Sequence, residues 1–324
     1  MKKIKWGIVG LGKIANKFAK DLLVVQNAEL YAVASRNLEK AEAFKKEYQA
    51  QKAYGSYEEL MEDKAVDVVY VATPHVLHHS ISVACMKKGI AVLCEKPFAM
   101  NTEEVKEMIK TARENKVFLM EAMWTRFLPH FEFMLMEINS GKMGKIKSIK
   151  ADFGFPAEFD VNGRLFNKSL GGGSLLDIGI YPVFLAYSLL GKPDKIEAEA
   201  KFAETGVDSS CEIKFHYKNG ATALLESTVL KKTPTTAEIE LEKGNIFINS
   251  RFHEPSSINI LMNEEKWVKE FDVNTTGYFY EAEHVTQMLL EGKTESEKMS
   301  FNSSLDLIGL LDAIRKEIAL EYDL

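Results

Sequence analysis

Cysteine is scarce. The 324 residues hold three (Cys85, Cys94, Cys211), an odd number, widely spaced and without a C-x-x-C pair. That pattern excludes a disulfide framework and a cysteine-built zinc site, and it suits a reducing cytoplasm. Prolines number only eight, and no proline-rich spacer, low-complexity linker or internal repeat separates parts of the chain, so closely packed domains are expected. Neither sign of charge gathers in a block. Forty-one Lys and Arg stand against 47 Asp and Glu, a net charge of -6, which argues against nucleic acid as a partner. No uncharged run approaches the ~20 residues needed to span a bilayer, so no membrane partner is expected. The N-terminal MKKIKWGIVGLG is basic and then apolar like a signal peptide, but Gly7, Gly10, Gly12 and Lys13 break it, and it reads as a first strand.

What is present is enough apolar material, 46% of the chain, for two cored domains. Up to residue 122, short β-branched runs (4–10, 29–35, 52–55, 66–73, 90–95, 117–122) alternate with helical segments such as LEKAEAFKKEY and TEEVKEMIKTARENK. The second of these starts at Thr102 without a full capping box. This alternation predicts an α/β fold whose first domain, residues 1–122, is a Rossmann doubly wound parallel sheet. Residues 123–324 read differently. A helix (HFEFMLMEINS), a strand (KIKSIKADFGF) and the glycine-rich GGGSLLDIGIY precede seven strand-like runs between 195 and 273. Lys218-Asn219-Gly220 and Lys243-Gly244-Asn245 are hairpin signals, and helices near 278–291 and 303–322 close a second α/β domain with a largely antiparallel sheet.

Gly10-Leu11-Gly12-Lys13-Ile14-Ala15 follows the first strand and opens a helix. There, glycines let the backbone approach a pyrophosphate, and the helix N-terminus supplies donors and positive potential, so Gly10, Gly12, Lys13 and Ile14 are cofactor-binding candidates. An NAD enzyme usually ends its second strand in a carboxylate. This chain has Ser35-Arg36, which suits a 2′-phosphate and favours NADP(H), with NAD(H) possible and a plain surface arginine as the alternative. Thr73, His75 and His78, with His79, follow the fourth strand at the edge where open α/β sheets bind ligands. No Asp, Glu or Cys joins these imidazoles at a ligand spacing, so no metal is expected. Glu95-Lys96-Pro97 follows the next strand and places Lys96 at the same edge, to assist proton transfer or merely to be solvated.

Ser174-Leu175-Leu176-Asp177 fits a helix start, with Ser174 as cap and Asp177 as its partner. Four residues on, Tyr181 would share a helix face with Asp177, while Pro182 predicts a kink or restart there.

The stretches GLGKIA (10–15), EKP (95–97), EAMWTRFLP (121–129) and GGGSLLDIGIYP (171–182) together resemble the glucose–fructose oxidoreductase, inositol dehydrogenase and MocA family. Within it, the chain is similar to the dihydrodiol and D-xylose dehydrogenase group. The resemblance implies an open sheet in the second domain that supports a homodimer, and a catalytic set of Lys96, Asp177 and Tyr181. Tyr181 takes the proton-transfer place where many relatives carry histidine. Glu95 and Lys96 are implied at the cofactor, and Trp124, Arg126, Phe153, Asp177 and Tyr181 at the substrate, with core packing an equal reading for the aromatics. Phe279 and Tyr280 are further candidates.

A phenol and an ammonium are poor bases at neutral pH unless each is tuned by its surroundings, and Lys96 beside Tyr181 would favour phenolate. The expected activity is NADP(H)-dependent hydride transfer at a secondary alcohol or carbonyl of a sugar, polyol or cyclic diol. Two alternatives are a noncatalytic NADP(H)-binding redox sensor and a cofactor-recycling enzyme in which hydride transfer is transient.

Overall fold

The computed structural model describes residues 3–322. They form two compact units, the first reaching to Phe127 and taking up Asn274–Ile308, the second comprising Leu128–Val273 and the chain from Gly309. The first unit runs β1 (Ile4–Val9), α1 (Lys13–Leu22), β2 (Ala28–Ala34), α2 (Leu38–Tyr48), β3 (Lys52–Tyr54), α3 (Tyr57–Met61), β4 (Val68–Val71), α4 (His78–Lys87), β5 (Ala91–Glu95), α5 (Thr102–Asn115) and β6 (Leu119–Ala122). All six strands are parallel, in the order β3-β2-β1-β4-β5-β6. Strands β4, β5 and β6 are buried at every position, as expected for a sheet covered on both faces. Chain order reverses between β1 and β4, so a crevice opens beyond their carboxyl ends, where such sheets take ligands. At α5 the cap is Asn101 rather than Thr102. Asn101 accepts from the Glu104 amide at 2.9 Å, and the Glu104 carboxylate reaches back to the Met100 amide at 2.9 Å.

The second unit contains α6 (Pro129–Asn139), β7 (Ile146–Gly154), α7 (Ile180–Leu190), β8 (Lys195–Phe202), β9 (Asp208–His216), β10 (Thr222–Thr228), β11 (Ala237–Leu241), β12 (Gly244–Ile248), β13 (Ile258–Met262) and β14 (Glu265–Lys269). Its sheet order is β14-β13-β12-β11-β7-β10-β9-β8, antiparallel except for the parallel pair β7/β10. Strand β14 starts directly after β13, because Asn263 and Glu264 both take positive φ and turn the chain tightly between them. One stretch, Lys168–Leu190, is apolar and long enough to cross a membrane by composition, which the single aspartate inside it hides from a search for uncharged runs. Its apolar 18-residue window is 78% buried inside the protein, as in a core helix.

The helix α8 (Phe279–Leu290) belongs to the first unit, which differs from the expected division into 1–122 and 123–324. Two long-range anchors explain this. Asp21, at the end of α1, accepts from the Thr276 amide and hydroxyl and from the Phe279 amide, each at 3.0 Å, and so caps α8 from the other end of the sequence. The Trp6 indole donates to Thr286 at 3.2 Å. The last helix, α9 (Phe301–Glu317), starts in the first unit and ends in the second.

Helix α8 also buries Glu281 completely, with no partner for either carboxyl oxygen among the described residues, and burial raises its pKa well above the ordinary value. A pKa raised by folding favours the native state at low pH, and that stability is lost as pH climbs from the unfolded value toward the folded one, by up to about 1.4 kcal/mol per pH unit. Glu281→Met is therefore expected to raise the melting temperature by several degrees at pH 8, with the gain shrinking toward pH 4.5. Thermal unfolding across that range checks it; a variant less stable than wild type at pH 8 would show that the carboxyl is satisfied after all.

Candidate active site

At the carboxyl end of β1, Gly10 has φ +87°, and a Cβ there would lie 2.6 Å from the Ala72 carbonyl oxygen. Gly12 supplies the N-cap of α1, and a Cβ on it would meet nothing within 4 Å. The first turn of α1 has no acidic residue, so its positive end is not neutralised from within. Thr73 adds a buried hydroxyl with no hydrogen-bond partner among the described residues. A tight glycine cradle, a bare helix N-terminus and an orphaned hydroxyl fit a dinucleotide pyrophosphate. At the end of β2, Ser35 is buried and accepts from the Asn37 amide at 3.2 Å, while Arg36 is exposed.

The histidines after β4 separate into different environments. His78 is fully buried, with Nδ1 2.8 Å from the Pro97 carbonyl and Nε2 2.9 Å from the Thr73 carbonyl, so its ring ties the turn after β4 to the turn after β5. His75 is buried beside it, ring centroids 5.7 Å apart. His79 faces outward and pairs with Glu107 at 3.0 Å. Among the described residues no group of three or more His, Cys, Asp or Glu could hold a metal ion.

The Glu95-Lys96-Pro97 turn is held from several sides. Phe18 stacks on Tyr70 at 3.7 Å; Tyr70 donates its hydroxyl to Glu95, whose other oxygen accepts from the Lys96 amide at 3.2 Å. Burial and the Glu95 charge push the Tyr70 pKa well up, so the phenol remains a donor. The Phe98 amide donates to Glu121 at 3.1 Å, and burial lifts the Glu121 carboxyl to about 7. The peptide between Lys96 and Pro97 is cis. Half-buried Lys96 thus sits on a braced turn. Trp124 stacks on Tyr278 at 4.3 Å within this unit, and Arg126 follows on the same short 3₁₀ turn, Trp124–Phe127. Phe279 and Tyr280 pack edge to face at 5.3 Å.

The second unit carries the remaining candidates, Phe153, Asp177 and Tyr181. Of three successive glycines, Gly172 and Gly173 let the chain pass where side chains cannot. A Cβ on Gly173, at φ +120°, would fall 2.2 Å from an Asp208 carboxyl oxygen. Ser174 does not cap the helix that follows. Its hydroxyl donates to Asp208 at 2.7 Å and lies 3.0 Å from Ser227, while Asp208 itself accepts from the Leu175 amide at 2.7 Å and so caps in its place. Burial raises the Asp208 pKa to about 6.

Residues Leu175–Gly179 form a π turn that runs straight into α7, so the chain widens before Pro182 where a kink was expected. Asp177 lies on that turn, nearly buried. Its carboxylate is not a helix cap: it accepts from both terminal nitrogens of Arg164, at 2.6 and 3.1 Å. Tyr181 is 7% exposed, and its ring lies 4.8 Å from His253 and 5.9 Å from Phe153, which stack on each other at 4.0 Å. Sequence reasoning missed Arg164 and His253. Neither belongs to a motif, and only the single aspartate in an apolar stretch hinted at a cation such as Arg164.

A parallel sheet with an anion-ready turn, followed by a unit that offers a phenol and an arginine-fixed carboxylate, defines a nicotinamide-dinucleotide oxidoreductase. Residues 4–123 match the oxidoreductase family with an NAD-binding Rossmann fold, residues 134–247 match the GFO/IDH/MocA C-terminal domain, and the chain belongs to that family. Over 98% of its length it is 40% identical to the trans-1,2-dihydrobenzene-1,2-diol dehydrogenase of Xenopus tropicalis, covering 99% of that protein. The enzyme of the same name from Homo sapiens is 34% identical, with 98% of each chain covered. A 3-ketoreductase from Actinomadura kijaniata, solved in complex with NADP and TDP-benzene, is 26% identical over 98% of each chain, with a TM-score of 0.86.

Proposed function

We propose that the protein is an NADP(H)-dependent oxidoreductase that interconverts a secondary alcohol and its carbonyl on a sugar, polyol or cyclic diol. The observation that carries this reading is Tyr181, a buried phenol among aromatic rings, four residues beyond a carboxylate paired with Arg164. A substrate alcohol must lose its hydroxyl proton as it is oxidised, and a carbonyl must gain one on reduction. Tyr181 takes that role, and Asp177 accepts a hydrogen bond from a substrate hydroxyl. Lys96, half-buried on the braced turn after β5, is the further catalytic candidate and brings a positive charge. Phe153, half-buried beside Tyr181, offers an aromatic face for a ring or the apolar side of a sugar, in keeping with relatives named for a cyclic diol.

Gly10, Gly12 and Thr73 would hold the pyrophosphate, with Lys13 and Ile14 on the first turn of α1, and Ser35 and Arg36 the 2′-phosphate. The absence of a carboxylate at the end of β2 supports NADP(H) over NAD(H). When bound, the nicotinamide supplies the hydride donor or acceptor. The three thiols are free and buried, in keeping with a cytoplasmic setting.

The test is nicotinamide absorbance with NADP⁺ and NAD⁺ against D-xylose, D-glucose, inositols and trans-cyclohexanediol. Turnover is expected with at least one substrate, at higher kcat/KM for NADP⁺. Binding of NADP(H) without reduction by any substrate would favour a redox sensor instead. We also propose a homodimer through the open face of the second sheet, where Leu224, Phe247 and Val268 fall in one cross-strand row and Leu224 and Val268 are exposed. Sedimentation of the same preparation as a monomer would overturn that.

A further inference from the structure

We propose that Arg164 is a positioning residue for Asp177, and that their pairing latches residues 155–173 to the wall that carries Tyr181. The inference rests on the oxidoreductase reading and deepens it, because it separates the roles Asp177 could play.

The geometry is a fork. Two guanidinium nitrogens meet two carboxylate oxygens at 2.6 and 3.1 Å, so the carboxyl group cannot rotate freely. An ionised carboxylate only accepts hydrogen bonds. A carboxylate held in this way presents its acceptor oxygens in a set direction, which is what orienting a substrate hydroxyl needs. Asp177 therefore orients substrate, and Tyr181 moves the proton.

The glycine run explains how the arginine is held. Residues 155–173 contain no strand or α-helix, only the short 3₁₀ turn Lys168–Leu170. The segment nonetheless doubles back on itself, with the Gly172 amide donating to the Asn167 carbonyl at 3.0 Å and the Gly173 amide to the Leu165 carbonyl at 2.8 Å. The place of a Gly172 side chain is taken by the carbonyls of Leu165, Arg164 and Asn167, at 2.7, 2.8 and 2.9 Å. Glycine at 172 thus lets the Arg164 backbone come close enough for its side chain to reach Asp177. Phe166 anchors the same segment in an apolar cluster with Ile178, Val207 and Val229. Lysine could not replace the fork, since a point charge holds one oxygen and leaves the other free to turn.

The experiment uses the full chain with NADP⁺ and the best substrate from the panel above. Arg164→Lys is expected to lower kcat/KM for the alcohol about 10²-fold, the scale of a 1 Å misplacement, with KM for NADP⁺ within about twofold of wild type. In Arg164→Ala, added guanidinium ion is expected to restore part of the lost turnover, which a merely structural defect would not allow. The alanine variant should also be cut faster by chymotrypsin at Phe159 or Phe166 without substrate. Wild-type kcat/KM in Arg164→Lys, or unchanged cleavage in Arg164→Ala, would overturn the proposal. If wild type turns over no substrate, the functional reading falls while the cleavage comparison still tests the latch.

Discussion

Tyr181→Phe is expected to lower turnover by about 10² to 10⁴-fold, the range assigned to a positioned acid or base, while NADP(H) affinity stays within about twofold. The substitution removes one hydroxyl and keeps the ring that packs on His253 and Phe153, so the aromatic trio and the fold should survive. Affinity for the cofactor should hold because its candidate residues lie just after β1 and at the start of α1, just after β2, and in the segments that follow β4 and end β5, on separate stretches of chain from α7. Steady-state kcat and KM for both substrates decide the matter. A variant within tenfold of wild-type turnover would move proton transfer to another group.

Gly10→Ala is expected to weaken NADP(H) binding by about 10²-fold or more and to lower stability. An L-residue at φ +87° carries about 1–2 kcal/mol of backbone strain. The new methyl would also sit 2.6 Å from the Ala72 oxygen and 2.8 Å from the Thr73 nitrogen, both backbone atoms that can yield only if the turn after β4 moves. That turn carries Thr73 and its orphaned hydroxyl, so relief of the clash displaces the cradle itself. Gly12→Ala is the control. Nothing lies within 4 Å of its added Cβ, so it should fold normally, and any loss of affinity in it reports how closely the pyrophosphate approaches. Fluorescence titration with NADPH and thermal unfolding of both variants give the comparison; unchanged affinity in Gly10→Ala would sink the assignment.

Much of the fold was legible because its causes are local. Buried parallel strands announce themselves as β-branched runs, and the glycines at 10 and 12 stand in a fixed relation to the strand before and the helix after them. The Glu95-Lys96-Pro97 turn and the Asp177–Tyr181 spacing are likewise short-range features. What failed was any reading that depended on a partner far along the chain. Ser174 looked like a cap by spacing alone, but Asp208, 33 residues beyond Leu175, satisfies that amide and takes the serine hydroxyl too. Helix α8 was assigned to the second domain by sequence order, yet Asp21 and Trp6 hold it in the first across more than 250 residues. His253 reached the tyrosine from a loop with no motif, through ring packing that leaves no periodic trace.

The amino-acid order by itself determined the sheet type of the first unit, its phosphate-binding turn and the residues from which the chemistry would be drawn, since hydrophobic period and backbone freedom act over a few residues. Only tertiary structure decided which carboxylate is fixed by arginine, which ones cap helices and which is buried with no partner among the described residues. Those outcomes depend on desolvation and on donors brought in from remote segments, and neither exists until the chain has closed around them.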